Sequence, residues 1–186
     1  MSRVNDFVGA LFKAVQSHDC QVVYPLKRSF GRTLESCDIR TVLAYAQMTT
    51  EQERDKDKRE AEFLVAGLLT STEKMDDGIK ATANRITYQK LLARLLSDVP
   101  QSEKNIERLL NENVGADGVF SSLFSRLHKR AVNYLYQNEQ IDYKRLLDDL
   151  RAWNNSKRIR VNWALDITAT PKNSDKVNVQ TTESEE

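Results

Sequence analysis

The spacing of the large apolar residues most constrains the fold of this chain. Near the C-terminus Ile159, Trp163 and Ile167 recur at i, i+4 and i+8, which places them on one face of a helix. The chain has only 6 glycines and 3 prolines among its 186 residues, so few positions interrupt a helix. We predict an all-α protein whose helices pack their apolar faces together. The same spacing near the N-terminus is seen at Val4, Phe7, Val8, Leu11, Phe12 and Val15.

Breaks in the helical pattern suggest how the chain is divided. Pro100 follows an apolar segment and is the best candidate boundary, because proline disfavours a helical residue before it. We predict two packed helical bundle halves, residues 1–99 and 100–168. Residues 169–186 contain Pro171 and an acidic end but no large apolar residue except two valines, so we expect a disordered acidic tail.

Local signals refine these helices. Pro25 suits the first turn of a short helix, with residues 18–24 as a connector before it. A single helix is predicted over residues 119–136. Asp142 is a candidate N-cap for the helix that follows, and residues 72–81 are polar enough to form a loop.

Signatures of catalysis are missing from the sequence. His18 and Cys20 are too few ligands for a zinc site, and His128 lies beside two cations and is expected on a surface. No nucleotide-binding, hydrolase or metalloprotease motif occurs. Cys20 and Cys37 are expected to be free and mostly buried thiols, with a bridge between them as the open alternative. We expect a protein that is not an enzyme and that needs no cofactor or metal.

The N-terminus has no secretory pattern, and no apolar run approaches the roughly 18 residues of a membrane span. We therefore expect a cytoplasmic protein with no membrane partner.

Charge is distributed unevenly along the chain. The formal net charge of the whole chain is +1, yet residues 126–165 hold nine Lys/Arg and four Asp/Glu. Positive charge concentrated on helices, without catalytic residues nearby, is typical of proteins that bind the phosphate backbone of nucleic acids.

The candidate binding residues form three basic clusters. Arg126, Lys129 and Arg130 are spaced i, i+3 and i+4, so they share one helix face. A nucleic-acid site requires the fold to bring the clusters onto one electropositive track, and the alternative is that each is an ordinary solvated face. The other two clusters are Lys27, Arg28 and Arg32, and Lys157, Arg158 and Arg160.

Two tryptophans in the C-terminal part have two possible roles. Trp153 and Trp163 occupy apolar-periodic positions, which favours packing in the core. The alternative is that they stack on bases.

Several segments resemble one known family. Residues 147–167, LDDLRAWNNSKRIRVNWALDI, resemble the end of the CasB family, which has a Leu-rich helix, a Trp before a polar turn, an Arg-rich helix start and a second Trp-Ala. Upstream pieces are similar to the family in order and spacing, covering roughly residues 3–168. These pieces are YPLKRSFGR, FLVAGLLTS, LLARLL, SEKNIERLLNENV and LFSRLHKRAV.

The resemblance implies a function. CasB proteins are the non-catalytic small subunit of Cascade, the type I-E CRISPR surveillance complex. Copies associate with one another, lie beside the backbone subunits that hold the CRISPR RNA, meet the large subunit, and help hold the target DNA and the displaced strand. The alternative is a helical protein–protein adaptor without nucleic-acid contact. The resemblance carries a binding role to Lys27, Arg28, Arg108, Arg126, Arg130, Lys157, Arg158 and Arg160.

Overall fold

The structure, a computed structural model, describes residues 3–49, 55–73, 84–115 and 117–169, with the backbone alone for residues 3–6. Over these ranges the chain is helical apart from two short strands, which confirms the predicted helical class. The strands are β1 (Asn84–Ile86) and β2 (Glu139–Ile141). The helices are α1 (Arg3–Gln16), α2 (Cys20–Ser29), α3 (Ile39–Met48), α4 (Lys56–Thr72), α5 (Tyr88–Asp98), α6 (Glu103–Asn111), α7 (Val119–Ala131), α8 (Tyr143–Arg151) and α9 (Lys157–Ala169).

Side-chain caps fix where several helices begin. The Asp142 carboxylate accepts a hydrogen bond from the Arg145 amide at 3.1 Å, as predicted. Asp19 accepts from the amides of Gln21 and Val22, so α2 begins at Cys20 and Pro25 is its sixth residue. The predicted connector over residues 18–24 is therefore wrong, because Asp19 caps the helix well before the proline.

Helix α4 is the centre of the fold. It is buried on every side from Glu60 to Thr70, as expected for a helix surrounded by others. Helices α1, α2 and α8 pack on it, and α5 packs against α7 and α9. Helices from both sides of Pro100 thus contact each other, and the division into two halves at that residue stays a prediction.

A buried carboxylate joins three of these helices. Glu62 of α4 is 1% exposed and accepts a hydrogen bond of 2.8 Å from the Tyr45 hydroxyl of α3. Its other oxygen lies 3.6 Å from the Arg151 guanidinium of α8. A buried charge is tolerated only when it is paired, so this network specifies how α3, α4 and α8 meet.

The two strands form a parallel pair that local sequence signals did not predict. Asn84 pairs with Glu139, and Ile86 pairs with Ile141. Arg94 of α5 supports the pair, because its guanidinium donates to both Glu139 oxygens at 2.5 and 2.8 Å. This ion pair holds the pKa of the Glu139 carboxyl below its ordinary value.

The structure shortens one predicted helix, and two other predicted segments lie mostly outside the described residues. The single helix predicted for residues 119–136 ends at Ala131 and continues only as the 3-10 turn Val132–Tyr134. Most of the predicted loop (residues 74–81) and the tail after Ala169 lie outside the described residues. No helix in the described part of the chain is long and apolar enough to cross a membrane.

Candidate nucleic-acid interface

Helix α7 has two chemically distinct faces. Its inner face carries Phe120, Phe124 and Ala131, all buried, whereas Arg126 and Arg130 are exposed. Successive residues turn by about 100° around a helix, so this alternation places apolar and basic residues on separate faces. The structure thus brings the predicted cluster Arg126, Lys129 and Arg130 together on one outward surface.

That surface forms one wall of a groove between α6 and α7. The groove has a volume of about 410 Å³, and Asn105 of α6 lines its opposite side. Arg126, Lys129 and Arg130 all line it, and no carboxylate of the described residues lies within ion-pair distance of these three. We call it the α6–α7 groove. Its lining is positively charged, and within the described part of the chain no carboxylate pairs with it.

His128 lies on the inner side of the same helix. It is 4% exposed, and its ring nitrogens lie 3.0 Å from the Thr72 hydroxyl and 3.3 Å from the Tyr88 hydroxyl. Burial lowers its pKa to about 4, so the imidazole is neutral at pH 7. The predicted surface position of His128 is wrong, because one helical step from Lys129 turns the side chain into the core.

The end of α2 lies directly against α7. The rings of Phe30 and His128 are 5.5 Å apart. Gly31 has φ +88, and a Cβ there would lie 2.5 Å from the Ser125 Oγ. Only glycine permits this approach. The contact brings the segment that carries Lys27, Arg28 and Arg32 beside the basic helix, and all three cations are exposed.

The third cluster is mixed in character. Lys157 and Arg158 are exposed at the start of α9 and make no ion pair with the described residues. Arg160 is half-buried, and its guanidinium donates to the Trp153 carbonyl at 3.3 Å and to Asn113 Oδ1 at 3.2 Å. Arg160 therefore ties two turns of the fold together.

Arg108 of α6 is also engaged within the protein. Its Nε lies 3.5 Å from Glu112 Oε1, one helical turn away. The pair is solvent-exposed, so it contributes little to stability, but it offsets the charge of the arginine.

The two tryptophans lie in the core, as favoured by their spacing. Trp153 is 0% and Trp163 1% exposed, and their rings meet edge to face at 5.0 Å. Trp163 donates from its indole nitrogen to Asp149 Oδ2 at 2.7 Å. With both ring faces covered, these side chains stabilise the fold and do not stack on bases.

Comparison with known proteins identifies the family. The family model for the CRISPR-associated protein Cse2 matches residues 25–166. The chain belongs to the Cse2 family. Cse2 and CasB denote the same family, so the predicted resemblance is confirmed.

A solved Cse2-family structure supports the same fold. It is the crystal structure of a CRISPR-associated protein from Thermus thermophilus, with a TM-score of 0.67 and 22% identity. The alignment covers 91% of this chain and 99% of that one. Comparison with the curated proteins gives no match.

The Cse2-matched region contains every predicted site residue, from Lys27 to Arg160. It also contains a cation that sequence reasoning missed. Arg40 at the start of α3 lines a second groove together with Arg28 of α2. The signal was present, since Arg40 follows Arg32 by eight residues in a segment already rich in cations.

Proposed function

We propose that this Cse2-family chain is the non-catalytic small subunit of a type I-E Cascade. In this role it contacts the nucleic-acid backbone and stabilises the target-bound R-loop and its displaced strand. The observation that carries the proposal is the outward face of α7, where Arg126, Lys129 and Arg130 line one groove without a neighbouring carboxylate among the described residues. Family membership supplies the biological setting.

The chemistry of the α6–α7 groove suits a backbone contact. Its lining has cations, Asn105 and two leucines but, among the described residues, no aromatic side chain. Such a groove attracts phosphates through charge and cannot read bases by stacking. In RNA-guided complexes base pairing reads the sequence, and R-loop formation is nearly balanced in free energy, so modest phosphate contacts are enough to favour it.

Five further exposed cations extend the proposed contact surface. Lys27, Arg28 and Arg32 are exposed on the segment whose Gly31 packs against α7, and Lys157 and Arg158 are exposed at the start of α9. Arg108 and Arg160 are weaker contributors, because each already has a partner within the protein. The proposed partners are CRISPR RNA, target DNA and its displaced strand, the Cascade backbone and large subunits, and another copy of this chain, all in the cytoplasm.

A binding experiment tests the proposal. We expect the purified chain to bind two unrelated 30-nucleotide DNA strands with equal affinity, measured by fluorescence anisotropy at 50 mM salt. Arg126→Ala with Arg130→Ala removes two phosphate contacts and should weaken binding by roughly 50-fold.

The matched control removes two cations that are already neutralised. Lys56 lies 2.8 Å from Glu35, and Lys58 lies 3.3 Å from Asp55. Lys56→Ala with Lys58→Ala should change the affinity by less than about twofold. Equal losses in the two double variants would show that the α7 face is not the binding site.

One observation favours a second function, a helical protein–protein adaptor. Val161 and Leu165 are 47% and 60% exposed and lie one turn apart on α9. An exposed apolar pair of this kind is typical of a surface that another protein covers. In this case Val161→Ser with Leu165→Ser would disrupt assembly with Cascade subunits while the α7 double variant would assemble normally and bind target DNA normally.

A further inference from the structure

A second groove lies between α2 and α3, on the side that carries Arg28. Its volume is about 590 Å³, larger than the α6–α7 groove. Pro25 and Ala44 contribute apolar surface to its lining, and Arg28 and Arg40 contribute charge. We call it the α2–α3 groove.

The apolar part of this groove is unusually exposed. Tyr24 of α2 and Leu43 of α3 line it and are 48% and 55% exposed. Ile39, one turn before Leu43, is 69% exposed. Large apolar side chains that gather around one concave surface are typical of a site that another segment covers.

The charged part of the groove favours an acidic occupant. Arg28 and Arg40 make no ion pair with the described residues. Asp38 also lines the groove, but its carboxylate accepts a hydrogen bond of 2.9 Å from the Thr41 amide at the N-terminus of α3. The N-terminus of α3 and the nearby Arg40 stabilise Asp38 as a charged carboxylate, so two arginines face one carboxylate and the net charge of the groove is positive.

The chain itself contains a segment with matching chemistry. Residues 170–186, TPKNSDKVNVQTTESEE, combine Val177 and Val179, two residues apart, with Glu183, Glu185 and Glu186 at the end. In an extended segment, residues two apart point to the same side. We propose that this C-terminal segment docks in the α2–α3 groove, with the valines on its apolar surface and the terminal glutamates beside Arg28 and Arg40.

The length of the segment permits this contact. Seventeen residues follow Ala169, the last residue of α9. A chain of that length spans up to roughly 55 Å, whereas a folded body of about 170 residues has a radius of gyration near 15 Å. A tether this short also gives an effective concentration in the millimolar range, so individually weak contacts suffice.

Cys20 gives a direct test, because it lines the α2–α3 groove and is exposed, which makes its predicted burial wrong. The test chain carries Cys37→Ser, which removes the other native thiol, and Ser184→Cys, which places a thiol among the terminal glutamates. In a glutathione redox buffer, the rate of the disulfide to Cys20 is measured by mass spectrometry. We expect Arg28→Ala with Arg40→Ala to slow it roughly fivefold to tenfold.

A matched variant distinguishes docking of the C-terminal segment in the α2–α3 groove from general electrostatic attraction to the protein. Lys129→Ala with Arg130→Ala removes the same charge from the α6–α7 groove and should leave the rate unchanged. Val177→Ser with Val179→Ser should slow the reaction through the apolar contact. Equal rates in all chains, or equal slowing by both cation pairs, would overturn the proposal. A rate that rises with protein concentration would also overturn it, because the segment would then come from a second copy.

One consequence rests on the proposed function as well. A docked segment covers Arg28, so a chain that ends at Ala169 should bind single-stranded DNA about threefold to tenfold more tightly at low salt. The docking proposal and the proposed function can be contradicted independently. Groove-dependent cross-linking without any DNA binding would contradict the proposed function alone, and DNA binding without groove-dependent cross-linking would contradict the docking alone.

Discussion

Two arginines from different basic clusters, Arg126 and Arg160, show how differently the fold uses similar residues. Arg126 is exposed on α7, lines the α6–α7 groove and makes no ion pair with the described residues. Arg160 is half-buried on α9 and donates hydrogen bonds to Trp153 and Asn113. Both arginines contribute the same charge to the sequence, but of the two only Arg126 has a guanidinium that is available to contact a ligand.

The reason for the difference lies in the backbone around each residue. Arg126 lies in the middle of α7, where the backbone groups hydrogen-bond within the helix. Its side chain therefore has no backbone carbonyl to satisfy. Helix α9 follows a turn after α8 in which the Trp153 carbonyl has no helical partner. A buried carbonyl needs a donor, and Arg160 supplies it.

The largest expected effect concerns the residue that anchors α9. Trp163→Ala should lower the free energy of unfolding by about 3–5 kcal/mol, because it empties a core site and leaves Asp149 without the indole donor. Urea denaturation measures this, with Val161→Ala, an exposed position on the same helix, as control. Unchanged stability together with lost DNA binding would instead support base stacking by Trp163.

The next effect concerns the contact between α2 and α7. Gly31→Ala should cost about 2–3 kcal/mol, because it combines a left-handed backbone with a clash against Ser125. Gly9→Ala is the control, since a Cβ at Gly9 meets nothing within 4 Å and alanine favours the helix. If the two variants are equally stable, the α2 cluster does not lie against α7 as described.

A smaller effect separates the two arginines of the comparison. Arg160→Ala should lower the free energy of unfolding by about 1–2 kcal/mol, because it removes charge-assisted hydrogen bonds to two turns. Arg126→Ala should leave stability within about 0.5 kcal/mol of the original and weaken DNA binding. Thermal denaturation and anisotropy on both variants measure this, and the reverse assignment would contradict the comparison.

The smallest effect depends on pH and comes from the inner face of α7. Burial lowers the pKa of His128 from 6.5 to about 4, so the unfolded chain takes up its proton at a higher pH than the folded chain. Stability from the neutral imidazole is complete above pH 6.5 and is lost as the pH falls toward 4. At pH 5.5 the loss should be about 1 kcal/mol.

His128→Gln isolates this contribution, because glutamine has no proton to gain in that range. The difference in unfolding free energy between the original chain and the variant should change between pH 7.5 and 5.5. A difference that stays constant would show that His128 is not buried in its neutral form.

The periodicity of apolar and charged residues predicted the features that depend on a single helix. It placed Trp153 and Trp163 in the core and put Arg126 and Arg130 on one outward face, and a local capping signal identified Asp142. The start of α2 at Asp19 was not predicted, because Pro25 suits the first turn of a helix, although its fixed φ also fits a helix interior when the missing donor is tolerated.

Features that depend on two distant segments were not predictable in this way. The pairing of β1 with β2 joins residues more than fifty positions apart over only three residues each. The burial of Glu62 beside Arg151, and of His128 beside Thr72 and Tyr88, follows from which helices meet. Neighbouring charges along the chain suggested a surface for His128, but the packing of α4, α5 and α7 decided otherwise.

The salt dependence of DNA binding tests the central claim most directly. The logarithm of the association constant should fall linearly with the logarithm of salt concentration, and Arg126→Ala with Arg130→Ala should reduce the magnitude of that slope by roughly 1.4–1.8. The Lys56→Ala with Lys58→Ala control should keep the original slope. An unchanged slope in the α7 double variant would show that this face does not contact phosphate.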